Sequence, residues 1–325
     1  MKQKQRLFFA LGTANSISVV YEESQEDQVE ACLDEIENQT ETMDDLWSVF
    51  KKTSEISQIN ALAGEKMVKV SPETMYILKE SIYYSELTKG AFDITTQPLT
   101  SLWREHLKKE ELPDKQDILR ALMKVDYHDI LIDEEKGLAM LRKKGQAIDL
   151  GSIAKGYLAD QAKETLLSYQ LEEALINFGG TVIALGKKKT TGIQNPFMSL
   201  GTSMGQLDIN NQAVVTSGAY EHYTMIAGVR YHHLIHPQTG MPVENSLISV
   251  TLIGESAMAL DAFTTALFVE GMQNGYHYLN EQGLSGVFIT EDGQVYMSET
   301  IKNDFKIKEV PYGQDTEENI AYKYH

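Results

Sequence analysis

The chain has 325 residues, 42% hydrophobic and 23% charged, and a formal net charge of -18. It is long enough for a full core, and its acidic surface excludes nucleic acid and anionic membrane as partners. A single cysteine, Cys32, excludes an internal disulfide framework and a cysteine-built zinc site.

Met1 to Arg6 are polar and basic, and Leu7 to Leu11 are apolar. That apolar run is too short for a signal peptide and lacks a small-residue cleavage site. No run approaches a membrane span, so a cytoplasmic protein without membrane insertion is expected. Leu7 to Tyr21 alternates as a strand, and a polar, acidic helix follows from about Gln25 to Phe50, with Cys32 on its apolar face. Ser71-Pro-Glu-Thr predicts a capped helix that runs to Thr88 and stops at Lys89-Gly90. Hairpins are expected at Ile130 to Leu141 and, around Glu291-Asp-Gly, at Val287 to Met297. Between them lie strand-like Ala147 to Leu150, a helix from Ile153 to Ser168, and strands at Ala174 to Asn177, Gln206 to Ile209, Val214 to Thr216, Arg230 to Leu234 and Leu247 to Ile253. An apolar helix spans about Ser256 to Gly271. The reading is an α+β fold with mixed, largely antiparallel sheets and packed helices. It forms one unit over about residues 1–310, with a polar tail at 311–325.

Asp149-Leu-Gly-Ser-Ile-Ala-Lys155-Gly passes from strand to helix. The first free amides of the helix suit a phosphate, and Lys155 adds a full charge one turn in. An ordinary corner with a capping serine and a solvated lysine fits the same residues. Met258, Asp261, Thr265 and Phe268 share one face of the apolar helix. A carboxylate there must meet a cation. Asp261 and Thr265, four apart, make a pair of hard-oxygen ligands for magnesium. The alternative is a salt bridge at Asp261, with Thr265 bonding back to its carbonyl.

His222, His232, His233 and His236 cluster in sequence, but they lack a zinc-binding spacing, and adjacent histidines in a strand face opposite ways. One of them fits a general base or a ligand contact better. In the turn after His236, Thr239 and Gly240 can present amide and hydroxyl groups to a nucleotide. Gly180 to Lys187 does not have the P-loop spacing. Gly179-Gly180 is backbone that must approach a ligand or a neighbouring strand. Gly90-Ala-Phe-Asp-Ile-Thr either borders a ring-shaped ligand or forms a core-and-turn segment.

Taken in order, these segments resemble the ApbE family of FAD:protein FMN transferases, from about Gly12-Thr13 to Gly271. The motifs are Ser54-Glu-Ile-Ser-Gln-Ile-Asn60, Gly90-Ala-Phe-Asp-Ile-Thr95, Asp149-Leu-Gly-Ser-Ile-Ala-Lys-Gly-Tyr157 and Asn177-Phe-Gly-Gly180. They continue with Thr216-Ser-Gly-Ala-Tyr220, Tyr231-His-His-Leu-Ile-His-Pro-Gln-Thr-Gly240 and Asp261-Ala-Phe-Thr-Thr-Ala-Leu267. The resemblance implies magnesium-dependent transfer of the FMN half of FAD to a Thr or Ser hydroxyl of an acceptor protein, with release of AMP. It implies metal ligation by the Ser152 carbonyl, the Asp261 carboxylate and the Thr265 hydroxyl. It also implies FAD contacts from Ala91, Phe92, Asp93, Asp149 and Lys155, with His233 near the reacting phosphate. Phe50 stands where many members have a tyrosine lid, and His236 stands where the family has aspartate. A cation would also reconcile a dianionic ligand with a charge of -18. Two alternatives remain beside transfer: an FAD pyrophosphatase giving FMN and AMP, and a non-catalytic flavin-binding protein.

Overall fold

The structure is a computed structural model that describes residues 1–199, 201–302 and 304–308. The chain opens with β1 (Lys2–Ala10) and β2 (Thr13–Tyr21), helices α1 (Glu26–Trp47) and α2 (Glu55–Ala61), strand β3 (Val68–Lys69) and helix α3 (Pro72–Leu87). Helices α4 (Gln97–Leu107) and α5 (Lys115–Leu122) precede the hairpin β4 (Ile130–Asp133) and β5 (Leu138–Leu141). Then come α6 (Ala154–Ser168), β6 (Ala174–Phe178), β7 (Thr181–Leu185), β8 (Lys189–Gln194), β9 (Ser203–Ile209) and β10 (Gln212–Gly218). The small ribbon β11 (Tyr223–Ile226) and β12 (Val229–His232) leads to β13 (Leu247–Gly254), α7 (Ala257–Glu281), β14 (Ser285–Thr290), β15 (Val295–Met297) and β16 (Phe305–Ile307). The tail expected at 311–325 lies outside the described residues.

Eight strands form the main sheet in the order β1-β2-β6-β7-β10-β13-β14-β15, and every neighbouring pair is antiparallel. The fold is therefore α+β, with antiparallel sheets as expected. Helices α6 and α7 pack on one face of this sheet. On the other face, Ile193, Leu207 and Phe305 of the β8-β9-β16 sheet close a second core over Val214, Ile253 and Val287. The central strand β13 is thus buried on both faces. That is why every residue from Leu247 to Ile253, Ser249 and Thr251 included, is buried.

Several expectations are corrected. Leu7 to Tyr21 is not one strand: the chain turns at Leu11-Gly12, with Leu11 at φ 56, and β1 pairs back along β2. Residues 147–150 lie outside any strand. The last helix does break at Gly271 (φ 75), where Asn245 Nδ2 donates to Phe268 O at 2.7 Å, but helix then resumes to Glu281. Ser71 caps α3 as expected, accepting from Thr74 N–H at 3.2 Å. Gly179-Gly180 is the β6–β7 turn, and a Cβ on Gly179 would lie 2.7 Å from Thr13 Cγ2, so the neighbouring strand is what this backbone approaches. Among the described residues, no helix is long and apolar enough to cross a membrane.

Candidate active site

Two helices build the centre of the site. Gly156 lies inside α6, where glycine costs helix stability, and its reason is the crossing with α7. A Cβ there would come within 2.3 Å of Ala257 O and 2.7 Å of Met258 Cα. The bare backbone lets Gly156 N–H donate to Asp261 Oδ2 at 3.0 Å. One turn along α6, Asp160 caps α7. Its Oδ1 accepts from Ala257 N–H at 2.9 Å, and its Oδ2 accepts from Ser256 Oγ and Met258 N–H, both at 3.0 Å. These bonds fix the register that delivers Asp261.

Asp261 is almost wholly buried, at 3% exposure. Lys155 Nζ stands 3.6 Å from its Oδ2 and donates to Gly151 O at 2.7 Å. Thr265 Oγ1 donates to Asp261 O at 3.3 Å, and Thr264 Oγ1 does so at 3.0 Å. Ser217, at the end of β10, reaches Thr264 Oγ1 at 2.9 Å and Thr265 Oγ1 at 3.4 Å. Three hydroxyls therefore gather around the backbone carbonyl of Asp261, between the sheet and α7. All are hard oxygen donors of the kind that suits magnesium, while the other carboxylate oxygen, Oδ1, takes no hydrogen bond among the described residues.

The corner before α6 is held from both sides. Asn60 pairs with Ile148 like a strand neighbour, accepting from its N–H at 2.8 Å and donating to its carbonyl at 2.9 Å. Asp149 N–H donates to Ile94 O at 3.0 Å, and Asp149 Oδ1 accepts from Gly151 N–H at 2.8 Å. Ile153 occupies the N-cap of α6 with no side-chain cap, so the capping-serine alternative is not the arrangement found. Nor is Lys155 merely solvated, given its bonds above. Ser152 sits in the turn directly before the helix.

The neighbouring histidines differ in their free nitrogens. His232 is buried; its Nε2 donates to Val243 O at 3.1 Å and its Nδ1 accepts from Leu234 N–H at 3.3 Å, so neither nitrogen is free. His233 is exposed, and its Nδ1 lies 3.3 Å from His222 O. A carbonyl can only accept, so that bond places the proton on Nδ1 and leaves the Nε2 lone pair open. Desolvation foremost lowers His233's proton affinity; the bond to His222 O opposes this, and nearby His222, His232 and Lys155 reinforce it. Glu221 is also solvent-open. Desolvation foremost holds it above the usual carboxylate range; Lys155 and His222 oppose this, and Asp261 reinforces it. His236 Nδ1 accepts from Gln238 N–H at 3.2 Å within its own turn. Among the described residues, no three His, Cys, Asp or Glu side chains come together as a metal cluster.

The remaining expected contacts are more dispersed. Phe50 is 77% exposed, with the Arg104 guanidinium 5.2 Å over its ring. Phe92 is fully buried in the main core, so of the two readings of its segment the core-and-turn one describes its ring. Ala91 is buried beside it. Asp93 is buried, and its Oδ1 accepts from Thr95 N–H at 2.7 Å and Thr95 Oγ1 at 2.6 Å. Desolvation raises its pKa to about 6. Thr239 is exposed on the turn whose Gly240 carbonyl accepts from Trp103 Nε1 at 2.8 Å, and its Oγ1 accepts from Met241 N–H at 3.3 Å. Sequence reasoning gave no role to Gly156, Asp160, Ser217 or Glu221. The available signal was a glycine inside a helical pattern with an aspartate one turn later.

Comparison with known proteins bears on this arrangement. The ApbE family pattern matches residues 11–288. FAD:protein FMN transferase from Klebsiella pneumoniae (strain 342) is 36% identical over 256 residues, covering 78% of this chain and 81% of that protein. A protein of the same name from Treponema pallidum (strain Nichols) is 28% identical over 94% of this chain and 90% of its own. The crystal structure of the ApbE protein from Thermotoga maritima superposes with a TM-score of 0.85 at 31% identity, covering 93% of this chain and 99% of that one. The flavin transferase ApbE from Vibrio cholerae does so with 0.81 at 25%, with the same coverage. With the family pattern spanning the α6 corner, β10 and the Asp261 helix, the chain belongs to the ApbE family.

Proposed function

We propose that this chain, as one catalytic unit over about residues 1–310, transfers the FMN moiety of FAD to a Thr or Ser hydroxyl of an acceptor protein and releases AMP. The names of its relatives support the flavin-transfer class. The observation that carries the rest is Asp261: a buried carboxylate with one oxygen committed to Gly156 N–H and the other open, beside Thr265 and Ser217.

The donor set fits a hard divalent cation held by Asp261, Thr265 and the Ser152 carbonyl. Magnesium bound there would supply charge neutralisation to the pyrophosphate oxygens. The chain's own residues do the remainder. Lys155 and the uncapped start of α6 receive phosphate charge. Asp149 orients the corner and borders the nucleotide. Phe50, Ala91, the backbone around Phe92, Asp93 and Thr239 contact FAD around that centre, with Phe50 offering an exposed ring face. His233, neutral with Nε2 open, takes the proton of the acceptor hydroxyl.

Incubation with FAD, magnesium and a threonine-bearing flavoprotein acceptor is expected to give a fluorescent band that survives denaturing electrophoresis. Free FMN with no labelled band would point to hydrolysis instead. Asp261→Asn keeps an oxygen for Gly156 N–H but removes the charge. It should lose about a hundredfold or more in metal-dependent turnover while staying folded, and full activity in that variant would remove the metal assignment.

A further inference from the structure

Strands β11 and β12 pair only with each other among the described residues. Their turn, Ala227-Gly228, has both residues at positive φ (49 and 81), the two-residue hairpin type. In such a hairpin, bonded and non-bonded pairs alternate away from the turn. Ile226 closes on Val229, Thr224 faces Tyr231, and the series continues to His233, whose N–H donates to His222 O at 3.2 Å. Tyr223 and Met225 therefore turn their N–H and C=O groups to the outer edge of β11. On the β12 side the base is covered, because Val243 N–H donates to Leu234 O at 3.0 Å. Among the described residues the β11 edge stays open, and Tyr223, Met225 and Val229 are exposed. Unpaired backbone of this kind is a template for another strand.

Charge singles out the same segment. Residues 222–243 contain no Asp or Glu, in a chain with 47 acidic residues, yet they hold Arg230 and four of the eight histidines. The Arg230 guanidinium lies 4.8 Å over the Tyr223 ring, and its buried Nε has no hydrogen-bond partner among the described residues. A neutral or acidic polypeptide meets a local cation here rather than the repulsion of the wider surface. His233, at the ribbon's base, lies within electrostatic reach of Lys155, itself 3.6 Å from Asp261.

We infer, resting on the FMN-transfer reading, that the outer edge of β11 docks the acceptor protein as an added strand that leads its target hydroxyl to His233. The occupant is an extended segment of acceptor polypeptide carrying a Thr or Ser, apolar neighbours and a carboxylate. The outward groups of Tyr223 and Met225 bind its backbone, their side chains meet its apolar residues, and Arg230 meets the carboxylate.

Met225→Pro removes an outward N–H and leaves the ladder bonds of Thr224 and Ile226 in place. Arg230→Glu reverses the charge. With the acceptor that the wild type labels, each variant should raise the acceptor KM about tenfold. Turnover at saturating acceptor, and FAD binding followed by flavin fluorescence, should stay within about twofold. An unchanged acceptor KM in both variants overturns the proposal. So does parallel loss of FAD binding, which would make the ribbon a scaffold only. A wild-type dimer by light scattering that Met225→Pro converts to monomer, with acceptor KM unchanged, assigns the edge to a second copy and also overturns it. If the wild type labels no acceptor, the transfer reading itself fails and this one falls with it, so the two failures are separable.

Discussion

Gly156→Ala tests whether the α6–α7 crossing positions the carboxylate proposed to act in catalysis. The added methyl would sit 2.3 Å from Ala257 O, 2.6 Å from Ala257 C and 2.7 Å from Met258 Cα. All three are backbone atoms, so no side chain can rotate away. An ordinary carbon–oxygen contact is about 3.3 Å, so the start of α7 must retreat by about 1 Å. The three bonds from Asp160 resist that retreat, and Asp261, one turn along α7, is carried with it. The Gly156 N–H contact to Asp261, 3.0 Å in the wild type, is then stretched out of hydrogen-bond range. Overpacking costs about 1–3 kcal/mol, and the gain in helix propensity returns about 1 kcal/mol. Net destabilisation is small, and the thermal midpoint should fall by only a few degrees. A 1 Å misplacement of a catalytic group costs about a hundredfold in rate. The expected result is therefore a folded protein whose kcat/KM for FAD in the acceptor-labelling assay drops about a hundredfold. A variant within about threefold of wild type would refute the positioning argument.

Asp93, with a folded pKa raised to about 6 against 3.8, binds more protons in the native state. Its contribution to stability is complete below 3.8 and is lost as pH rises through 6, a change of up to about 3 kcal/mol. Asp93→Asn retains an acceptor for Thr95 but does not titrate, so its stability relative to wild type should climb between pH 4 and 7 in urea titrations. A difference constant across that range would refute the assignment. Asp160→Ala strips three bonds from the start of α7 and should cost about 2 kcal/mol in chemical denaturation. A loss indistinguishable from zero would mean that the cap does not hold the helix.

What the sequence made legible follows from local pattern. The hairpins at Ile130 and Val287 carried turn residues between apolar runs, and the cap at Ser71 announced α3. Asp261 and Thr265 stood out because a carboxylate on an apolar helix face demands a partner. Strand β1 was hidden for a physical reason. Its helix-facing positions include Lys4 and Arg6, whose charges are met by Glu26, Glu30, Asp34 and Glu37 of α1. A half-exposed face made of ion pairs has no apolar period to detect. Gly156 and Asp160 were illegible as parts of the site because their meaning depends on a helix about a hundred residues away, which no local window contains.

Asp261 was left between an ion pair and a metal ligand, and both features of the plainer alternative are present: Lys155 beside the carboxylate and Thr265 bonded back to the carbonyl. They do not dispose of the metal reading, because they leave the carboxylate half used. Gly156 N–H and Lys155 both address Oδ2. Oδ1 takes no hydrogen bond among the described residues, so one carboxylate oxygen remains free for a further ligand. Lys155 is loosely committed as well, lying 2.7 Å from Gly151 O but 3.6 Å from Asp261. A lysine that leans toward a backbone carbonyl can turn to an incoming phosphate without stranding the carboxylate. Asp261 stays anchored by Gly156 N–H, with Thr265 and Ser217 beside it and its second oxygen uncommitted, which keeps the proposed cation site available.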